Sequence, residues 1–421
     1  MSLHRLPTRT GAALLALAAA TPAWSQTAAP YSVARRIELT GYARNFPWAA
    51  ADTHLLLAGD LNADGIADLA AATPGVWFTL LVAPDGTFPL AVYQQEGSSS
   101  SGIAGADFDN DGIGDLAVGI DGKVLINYGN GNGGFTGGPQ IAVGSVGPNA
   151  LITDIAAADF NLDGQIDLAV VDTDPLNDTR THGSGGNLVR HRESIALLRG
   201  TSDGSFVADP VRPRLPAPQF PLRVQREDFN GDSRPELLVG NNGSVSLLFN
   251  ENSGGLAAAS LPLYPGGLHP QVDVIASAGG DFNNDGRRDL AAISTFPAAN
   301  ELGGYYRVHL YRNIPQSQPG RPYTLAPEIN EIALPHPAGS LLVTDFNGDT
   351  YADIVVGFES AGTRSLAFYA GRNNFTFDPP RYFNGGFDAG AMVVADFNGD
   401  SKPDIAVMDC SDGAFVILRH D

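Results

Sequence analysis

Short apolar runs alternate along the chain with acidic, glycine-rich turns. A stretch of small apolar residues such as "GIAGA" precedes an acidic turn, a run such as "DLAVG" follows it, and a second alternating run such as "KVLINYG" comes next. Apolar runs of this length, bounded by glycine, asparagine and aspartate, are typical of β-strands joined by tight turns. The pattern therefore predicts an all-β fold of short antiparallel strands.

The acidic turn returns seven times. Its copies read "DLNADGIADL", "DFDNDGIGDL", "DFNLDGQIDL", "DFNGDSRPEL", "DFNNDGRRDL", "DFNGDTYADI" and "DFNGDSKPDI". They start at Asp60, Asp107, Asp159, Asp228, Asp281, Asp345 and Asp396. Successive starts are 47, 52, 69, 53, 64 and 51 residues apart. Each interval has room for about four short strands, so each unit predicts an antiparallel meander whose acidic turn joins the first two strands.

The two ends of the repeat predict a closed ring. Only 25 residues follow Asp396, too few for an outermost fourth strand, whereas "YSVARRIELT" (residues 31–40) alternates like a strand ahead of the first unit. We predict a seven-bladed β-propeller whose last blade is closed by this N-terminal strand, which leaves no long sheet edge exposed. An open β-solenoid and a string of small domains are the alternatives. Solenoid repeats are usually shorter, and no low-complexity linker separates these units.

The first 25 residues are predicted to be a secretory signal peptide, followed by the propeller over residues 26–421. Arg5 and Arg9 precede the apolar run "GAALLALAAA", and small residues stand before the expected cleavage point. A transmembrane helix is the alternative, but it needs roughly 20 apolar residues. Because no cysteine stands at the cleavage point, we expect no lipid anchor. The product is expected to be secreted or periplasmic.

Charge and cysteine content limit the possible binding partners and the possible sources of stability. Removal of Arg5 and Arg9 leaves 23 basic against 46 acidic residues, and such a surface repels nucleic acid and anionic membranes. We expect a monomer with neither nucleic-acid partner nor membrane insertion. Cys410, the single cysteine, stands in an apolar run and cannot form an internal disulfide, so stability must come from the core or from metal.

The acidic loops have the spacing of a calcium site. Side chains at positions 1, 3, 5 and 9 of each loop can converge, glycine at position 6 permits a sharp turn, and the position-7 carbonyl can add a ligand. Calcium prefers six to eight oxygens at about 2.3–2.6 Å. The predicted metal ligands are Asp60, Asn62, Asp64, Asp68, Asp107, Asp109, Asp111, Ile113, Asp115, Asp159, Asn161, Asp163, Asp167, Asp228, Asn230, Asp232, Glu236, Asp281, Asn283, Asp285, Asp289, Asp345, Asn347, Asp349, Asp353, Asp396, Asn398, Asp400 and Asp404.

Other ions, or no ion, suit the loops less well. Magnesium prefers a near-ideal octahedron and retains water, and zinc is disfavoured because the loops lack histidine and thiolate. An Asx-turn without an ion explains one loop more easily than seven, since closely spaced carboxylates repel one another. Three loops carry Ser233, Thr350 and Ser401 in place of the expected glycine. We therefore expect up to seven calcium ions, with weaker binding in those three loops.

These loops resemble the FG-GAP and VCBS-type repeats found in the integrin alpha-subunit propeller and in many exported bacterial proteins. The resemblance covers nearly all of the chain after the signal peptide and implies calcium between the first two strands of each blade. It implies no particular activity, because the family includes adhesion modules, lectin-like proteins and domains attached to enzymes.

A ligand is expected on the face opposite the acidic loops, where connections between second and third strands emerge. Two long insertions, residues 172–193 and 294–307, and the aromatic-rich segment 41–53 fall there. Aromatic and polar groups together suit a sugar or a peptide. Tolerated surface loops and aromatic plugs between blades are the alternative. The candidate ligand-binding residues are Trp48, Arg180, His182, His191 and Tyr305.

Catalytic signatures are sparse. The chain has no H-E-x-x-H, no G-x-S-x-G and no phosphate-cradling loop, and repeated ion ligands are poorly suited to asymmetric acid and base roles. We predict a non-catalytic binding or adhesion module for a glycan or an extracellular protein. A carbohydrate-active enzyme resembling polysaccharide lyases and a structural scaffold are the alternatives.

Overall fold

A computed structural model of the chain describes residues 31–38, 55–73, 76–83, 87, 90–95, 100–143, 151–173, 194–216, 221–241, 244–251, 255–263, 273–296, 305–318, 321–328, 330–359, 364–411 and 414–420. The regular structure of these residues is β-strand throughout. The strands are β1 (Tyr31–Glu38), β2 (Leu55–Gly59), β3 (Asp68–Thr73), β4 (Val76–Leu81), β5 (Leu90–Gln95), β6 (Ser100–Ala106), β7 (Asp115–Ile120), β8 (Lys123–Gly129), β9 (Phe135–Ala142), β10 (Leu151–Ala158), β11 (Asp167–Thr173), β12 (Ser194–Gly200), β13 (Phe206–Ala208), β14 (Arg214–Pro216), β15 (Pro221–Glu227), β16 (Glu236–Asn241), β17 (Ser244–Glu251), β18 (Gly255–Leu263), β19 (Asp273–Gly280), β20 (Asp289–Phe296), β21 (Tyr305–Gln318), β22 (Arg321–Pro327), β23 (Ile332–Leu334), β24 (Ala338–Thr344), β25 (Asp353–Phe358), β26 (Leu366–Tyr369), β27 (Gly371–Arg372), β28 (Thr376–Phe377), β29 (Arg381–Phe383), β30 (Ala389–Ala395), β31 (Asp404–Asp409) and β32 (Ala414–His420).

The strands form seven antiparallel blades, as the sequence predicts. Blades 1, 2 and 4 are the meanders β2–β5, β6–β9 and β15–β18. Blade 3 is β10–β13 with β14 beside β12, and blade 5 is β19–β22 with β23 beside β21. Blade 6 runs β24–β25–β26–β29 and carries the small β27–β28 hairpin, while blade 7 is β30–β31–β32 completed by β1.

The N-terminal strand closes the last blade, which confirms that prediction. Strand β1 pairs antiparallel with β32, from Tyr31 opposite His420 to Glu38 opposite Ala414. The Tyr31 ring stacks at 5.0 Å on His420 and at 5.0 Å on Phe368 of blade 6. Its hydroxyl donates to the Pro403 carbonyl at 2.8 Å. The strand is therefore tied to two blades.

The hydrophobic core lies between the blades. Seven clusters of buried side chains each join two neighbouring blades. One of these seven joins blade 7 to blade 1, where the ring centroids of Phe415 and Phe78 are 5.5 Å apart. Second strands such as β25, "DIVVGF", are buried along their whole length because a neighbour covers each face. First strands of neighbouring blades contact one another around most of the ring and so line its central channel. A solenoid or separate domains would lack the contact between the last and first blades.

Two predicted loops begin and end differently from the sequence-based boundaries. Asp172 and Thr173 belong to β11, and residues 294–296 and 305–307 extend β20 and β21. The remaining parts of these insertions, residues 174–193 and 297–304, lie outside the described residues, as do the predicted signal peptide and the segment 41–53. Within the described part of the chain, no helix has the length and hydropathy that a membrane span requires.

We predict that Tyr31→Ala lowers the free energy of unfolding by about 3 kcal/mol, because a buried aromatic side chain that contacts two blades is removed. Chemical denaturation measures the loss. Val33→Ala is the control on the same strand, since Val33 is 49% exposed, and should cost at most about 0.5 kcal/mol. Equal losses in the two variants would show that β1 does not anchor the last blade.

Candidate metal centres in the acidic loops

Each acidic loop follows the first strand of its blade, and its last carboxylate opens the second strand. Asp107, for example, follows β6 and Asp115 opens β7. Because all seven loops make the same connection, they lie on one face of the propeller. The connection between second and third strands, such as that from β11 to β12, starts and ends at the opposite face.

Hydrogen bonds hold every loop in one curled conformation. The carboxylate at position 1 accepts a bond from the position-6 N–H in all seven loops, at 2.7–2.9 Å. The carboxylate at position 5 accepts one from the position-7 N–H in all seven, at 2.8–3.0 Å. These are Asx-type turns. The Asx interpretation therefore describes the loop backbone, and it leaves carboxylate lone pairs free for a cation.

Glycine occupies one of two left-handed positions in each loop. Position 6 has a positive φ of 65–91° in all seven copies, and position 4 has one of 57–77°. Four loops place glycine at position 6, whereas the loops of Ser233, Thr350 and Ser401 place it at position 4. Those three loops therefore make the same sharp turn without glycine at position 6. Weaker calcium binding there stays a prediction, but it no longer follows from the turn.

The position-9 carboxylate is buried and ties the loop to its blade. It accepts a bond from the position-2 N–H in all seven loops, at 2.7–3.2 Å. In six loops its other oxygen accepts an N–H from the third strand or from just beyond it, at 2.7–3.0 Å; in blade 5 the donor is Asn313, inside β21. Glu236, which is one methylene longer, instead accepts from the Asn230 side chain at 3.4 Å. Sequence reasoning treated this residue only as a ligand and missed its role in the blade.

Burial raises the pKa of every position-9 carboxyl group. The pKa is about 7 for Asp68, Asp115, Asp167 and Asp353, about 6 for Asp289 and Asp404, and about 8 for Glu236. Backbone hydrogen bonds oppose the shift, and the charges of neighbouring loop carboxylates add to it. A cation in the loop would therefore favour the ionised form of these groups.

The Asp107 loop brings three carboxylates close enough together to share one metal ion. Carboxylate oxygens of Asp107, Asp109 and Asp115 lie within 4.8 Å of one another. Two ligands on opposite sides of a calcium ion are at most about 5 Å apart, so these oxygens fit a single ion. Asp111 is not in this group, and its carboxylate accepts the Ile113 N–H at 2.8 Å. Among the described residues no other loop brings three carboxylates this close.

Position 2 of each loop anchors the junction between blades, a role that sequence reasoning missed. It is phenylalanine in six loops and Leu61 in the first, and each of these side chains is at most 4% exposed. Each packs in the cluster shared with the next blade, as Phe108 does against Phe206 at 5.4 Å between centroids. A side chain of the next blade can also donate to the position-2 carbonyl. Asn250 Nδ2 of blade 4, for example, donates to the Phe160 carbonyl oxygen of blade 3 at 2.8 Å. The recurrence of phenylalanine at position 2 is the sequence signal that could have revealed this role.

Neighbouring loops also contact one another. Asn110 Nδ2 donates to Gln165 Oε1 of the next loop at 2.9 Å, and the Tyr128 hydroxyl donates to the Gly204 carbonyl of blade 3 at 2.9 Å. Gly204 lies directly against Asp109, where a Cβ would approach the Asp109 Cβ to 2.8 Å. The hairpin of blade 3 therefore supports the Asp107 loop from the side.

The predicted ligand-binding residues are only partly placed. Trp48, Arg180, His182 and His191 lie outside the described residues, and Tyr305 is the first residue of β21 rather than part of a loop. Cys410 is half-buried, and burial raises the pKa of its thiol to about 11, which disfavours a thiolate nucleophile.

Blade 5 contains a hydrogen-bonded chain that the sequence did not reveal. Ser294 Oγ lies 2.6 Å from His309 Nε2, and His309 Nδ1 lies 3.0 Å from Glu331 Oε1. Burial lowers the pKa of His309, so the ring is neutral and bridges the two side chains. Serine, histidine and glutamate stand here in the order of a catalytic nucleophile, base and acid. Ser294 is 0% exposed, however, so a substrate cannot reach its hydroxyl. The chain therefore ties Glu331, next to β23, to the blade.

The fold and its loops define a β-propeller with repeated candidate metal sites. The model of the FG-GAP-like repeat family matches residues 60–118, 107–170, 228–325 and 345–407, which together make up more than half of the chain. The chain belongs to this family. Comparison with curated proteins gives no match.

Several solved structures are similar to the chain. BBS1N, in a crystal structure of its complex with ARL6DN soaked with lead, is 13% identical with a TM-score of 0.59, covering 94% of this chain and 98% of that one. An Agrocybe aegerita lectin that recognises non-reducing terminal N-acetylglucosamine is 14% identical over 85% and 86%, with a TM-score of 0.48. The V. cholerae biofilm matrix protein Bap1 is 12% identical over 87% of both chains, with a TM-score of 0.38. The first supports the propeller fold; the lower scores of the others add nothing to it.

We predict that Thr350→Gly raises the free energy of unfolding by about 0.5–1 kcal/mol, because a β-branched residue is strained at a φ of 76°. The matched opposite is Gly286→Ala, at a φ of 82° with nothing within 4 Å of the new Cβ, which should cost about 1 kcal/mol. Denaturation of both variants in calcium-saturated buffer gives the comparison. A loss in Thr350→Gly as large as that in Gly286→Ala would contradict the equivalence of the loops.

Proposed function

We propose that this protein is an exported, calcium-binding β-propeller that acts as a non-catalytic binding or adhesion module for a carbohydrate or protein ligand. The observation that carries the calcium assignment is the group of Asp107, Asp109 and Asp115 oxygens within 4.8 Å, in a loop that recurs seven times. Calcium supplies charge compensation there. The loop carboxylates hold the ion, and position 9 transmits its effect to the blade through two backbone hydrogen bonds.

In this proposal the ligand binds on the face opposite the acidic loops. On the loop face, the repeated polar groups are committed to the turns and the candidate ion sites. The longest connections start and end on the other face, at Thr173 and Ser194 in blade 3 and at Phe296 and Tyr305 in blade 5. The hydrogen-bonded chain of Ser294, His309 and Glu331 supports a non-catalytic role, because its only nucleophile, Ser294, is fully buried.

We expect chelation to lower the Tm and calcium to restore it, because an ion that binds only the folded protein stabilises it by mass action. Asp109→Asn makes the Asp107 loop like the other six at position 3 and should weaken its calcium binding about tenfold, since one charged ligand is lost. Asp203→Asn is the control: it removes an equally negative, exposed side chain from the adjacent hairpin. Calorimetry measures both affinities.

The pH dependence gives a second check on the same binding. Without calcium, the fold binds protons at position 9 with pKa values of about 6–8, above those of an unfolded carboxyl group. The ion-free protein therefore loses stability as pH rises through this range, whereas calcium binding requires the ionised groups and displaces the protons. The Tm increase on adding calcium should be larger at pH 8 than at pH 6. An unchanged melting curve in excess chelator would contradict the calcium assignment.

A glycan array with a parallel turnover assay tests the ligand function. We expect the calcium-loaded protein to bind a subset of glycans without releasing product from the corresponding polysaccharides. Combined Arg180→Ala, His182→Ala and His191→Ala changes should reduce binding at least tenfold if the long connection of blade 3 contacts the glycan, with Asp203→Asn as the control on the loop face. Product release would instead establish the carbohydrate-active enzyme. Absence of both binding and turnover would indicate a protein partner or a scaffold.

A further inference from the structure

Three of the seven loops place a glycine directly after the asparagine at position 3. The pairs are Asn230 with Gly231, Asn347 with Gly348 and Asn398 with Gly399. In the other loops with asparagine at position 3, the next residue is Ala63, Leu162 or Asn284. A glycine nitrogen can approach the amide of a preceding asparagine closely, because no side chain beside it hinders the contact. These three pairs are therefore candidates for a covalent change.

The turn keeps the asparagine side chain beside the nitrogen of that glycine. Asn230 Oδ1 accepts the Asp232 N–H at 2.9 Å, and the equivalent bonds of Asn347 and Asn398 are 2.8 Å and 2.9 Å long. Each bond closes a ring of atoms that contains both the asparagine Cγ and the glycine nitrogen. The same N–H polarises the bond between Cγ and Oδ1, which makes Cγ more electrophilic.

The carboxylate at position 1 contacts the glycine N–H. Its Oδ1 accepts that N–H at 2.7 Å from Gly231, 2.8 Å from Gly348 and 2.7 Å from Gly399. In the remaining four loops, all within the described residues, this oxygen accepts the position-5 N–H at 3.0–3.2 Å, and the position-4 N–H makes no such bond. A carboxylate in this place can take the proton when the nitrogen attacks.

We propose that Asn230, Asn347 and Asn398 are sites of spontaneous deamidation, which gives each of their loops a fourth carboxylate. The glycine nitrogen forms a bond to the asparagine Cγ and passes its proton to the position-1 carboxylate. The bond between Cγ and Nδ2 then breaks, and ammonia leaves with that proton, so a cyclic imide remains. Water opens the imide at Cγ to give aspartate, or at the main-chain carbonyl to give isoaspartate. All three glycines are exposed, so water reaches the imide.

The aspartate product repeats the carboxylate pattern of the Asp107 loop. In that loop Asp109 stands at position 3 and contributes to the group of oxygens that can share one ion. The change therefore acts on the loops whose calcium binding is predicted to be weaker. Its effect on calcium affinity rests on the function proposed above, whereas the reaction itself does not.

Peptide mass spectrometry of the full chain, incubated below its Tm in calcium-free buffer, measures the conversion at each asparagine. We expect conversion at the three proposed sites and none at the position-3 asparagines of the other loops, Asn62, Asn161 and Asn283. The same incubation in guanidinium chloride gives the rate that the sequence alone sets. We expect the folded chain to convert faster at the three sites, because the loop positions both reacting groups. Slower conversion in the folded chain would show that the loop protects the amide and would overturn the proposal.

Two variants of the Asp228 loop test the two contacts. Gly231→Ala should slow conversion of Asn230 at least about tenfold, because a β-carbon hinders the nitrogen. That Cβ has nothing within 4 Å, so the loop has room for it. Asp228→Asn removes the carboxylate on the glycine N–H and should slow conversion about tenfold as well. Asn347 in the same molecule is the internal control for both variants.

A wild-type rate at Asn230 in both variants would reject the proposed chemistry. Circular dichroism checks that each variant is folded. If Asp228→Asn does not fold, Gly231→Ala and the comparison with guanidinium chloride still decide the outcome. Calorimetry with calcium, before and after conversion, separates this proposal from the calcium function. Conversion without any calcium binding would confirm the modification and contradict only the calcium assignment.

Discussion

The structure depends most on the buried carboxylate at position 9 of each acidic loop. It accepts an N–H from position 2 of its own loop and, in six blades, an N–H from the third strand or from just beyond it. One charged group thereby joins the first connection of the blade to strands that lie further out. The environment that makes these hydrogen bonds strong also disfavours the charge, and burial raises the pKa accordingly. A cation in the loop would resolve this conflict, because it stabilises the ionised form that accepts both bonds.

The residue whose N–H meets that carboxylate also builds the core. At position 2 the backbone bonds to position 9, while the side chain enters the cluster between that blade and the next. The conformation of the loop and the packing of the ring are therefore set by the same two residues. Since the structure has no disulfide and each blade has little core of its own, loop geometry and ring stability are coupled seven times. This arrangement explains how one acidic repeat can stabilise the fold and also offer ligands to a metal ion.

The sequence predicted the architecture well because the repeat and the strand patterns are local signals. The blade number followed from the spacing of the acidic loops, and the closing role of β1 followed from the short segment after Asp396. Hydrogen-bond partners were not predictable in this way. Asp167 bonds to the N–H of Gly200, 33 residues away, and Asn250 bonds to a carbonyl of the preceding blade. Spacing also could not show that Asp109 joins the oxygen cluster while Asp111 does not. The exchange of glycine between positions 4 and 6 was visible in the letters, but its meaning required the φ angles.

In a ring of equivalent blades, residues that serve the fold recur, and residues that serve one ligand need not. The loop carboxylates and the position-2 side chains recur in every blade, so they account for stability and ion binding but cannot by themselves create one specific site. The departures cluster in blades 4 and 5: the arginines of β15, the glutamate at position 9 of the Asp228 loop, and the chain from Ser294 to Glu331. Of these, Glu236 and the Ser294 chain are satisfied by internal hydrogen bonds. Departures of this kind, rather than the repeated groups, are the places where a ring of equivalent blades could distinguish one ligand from another.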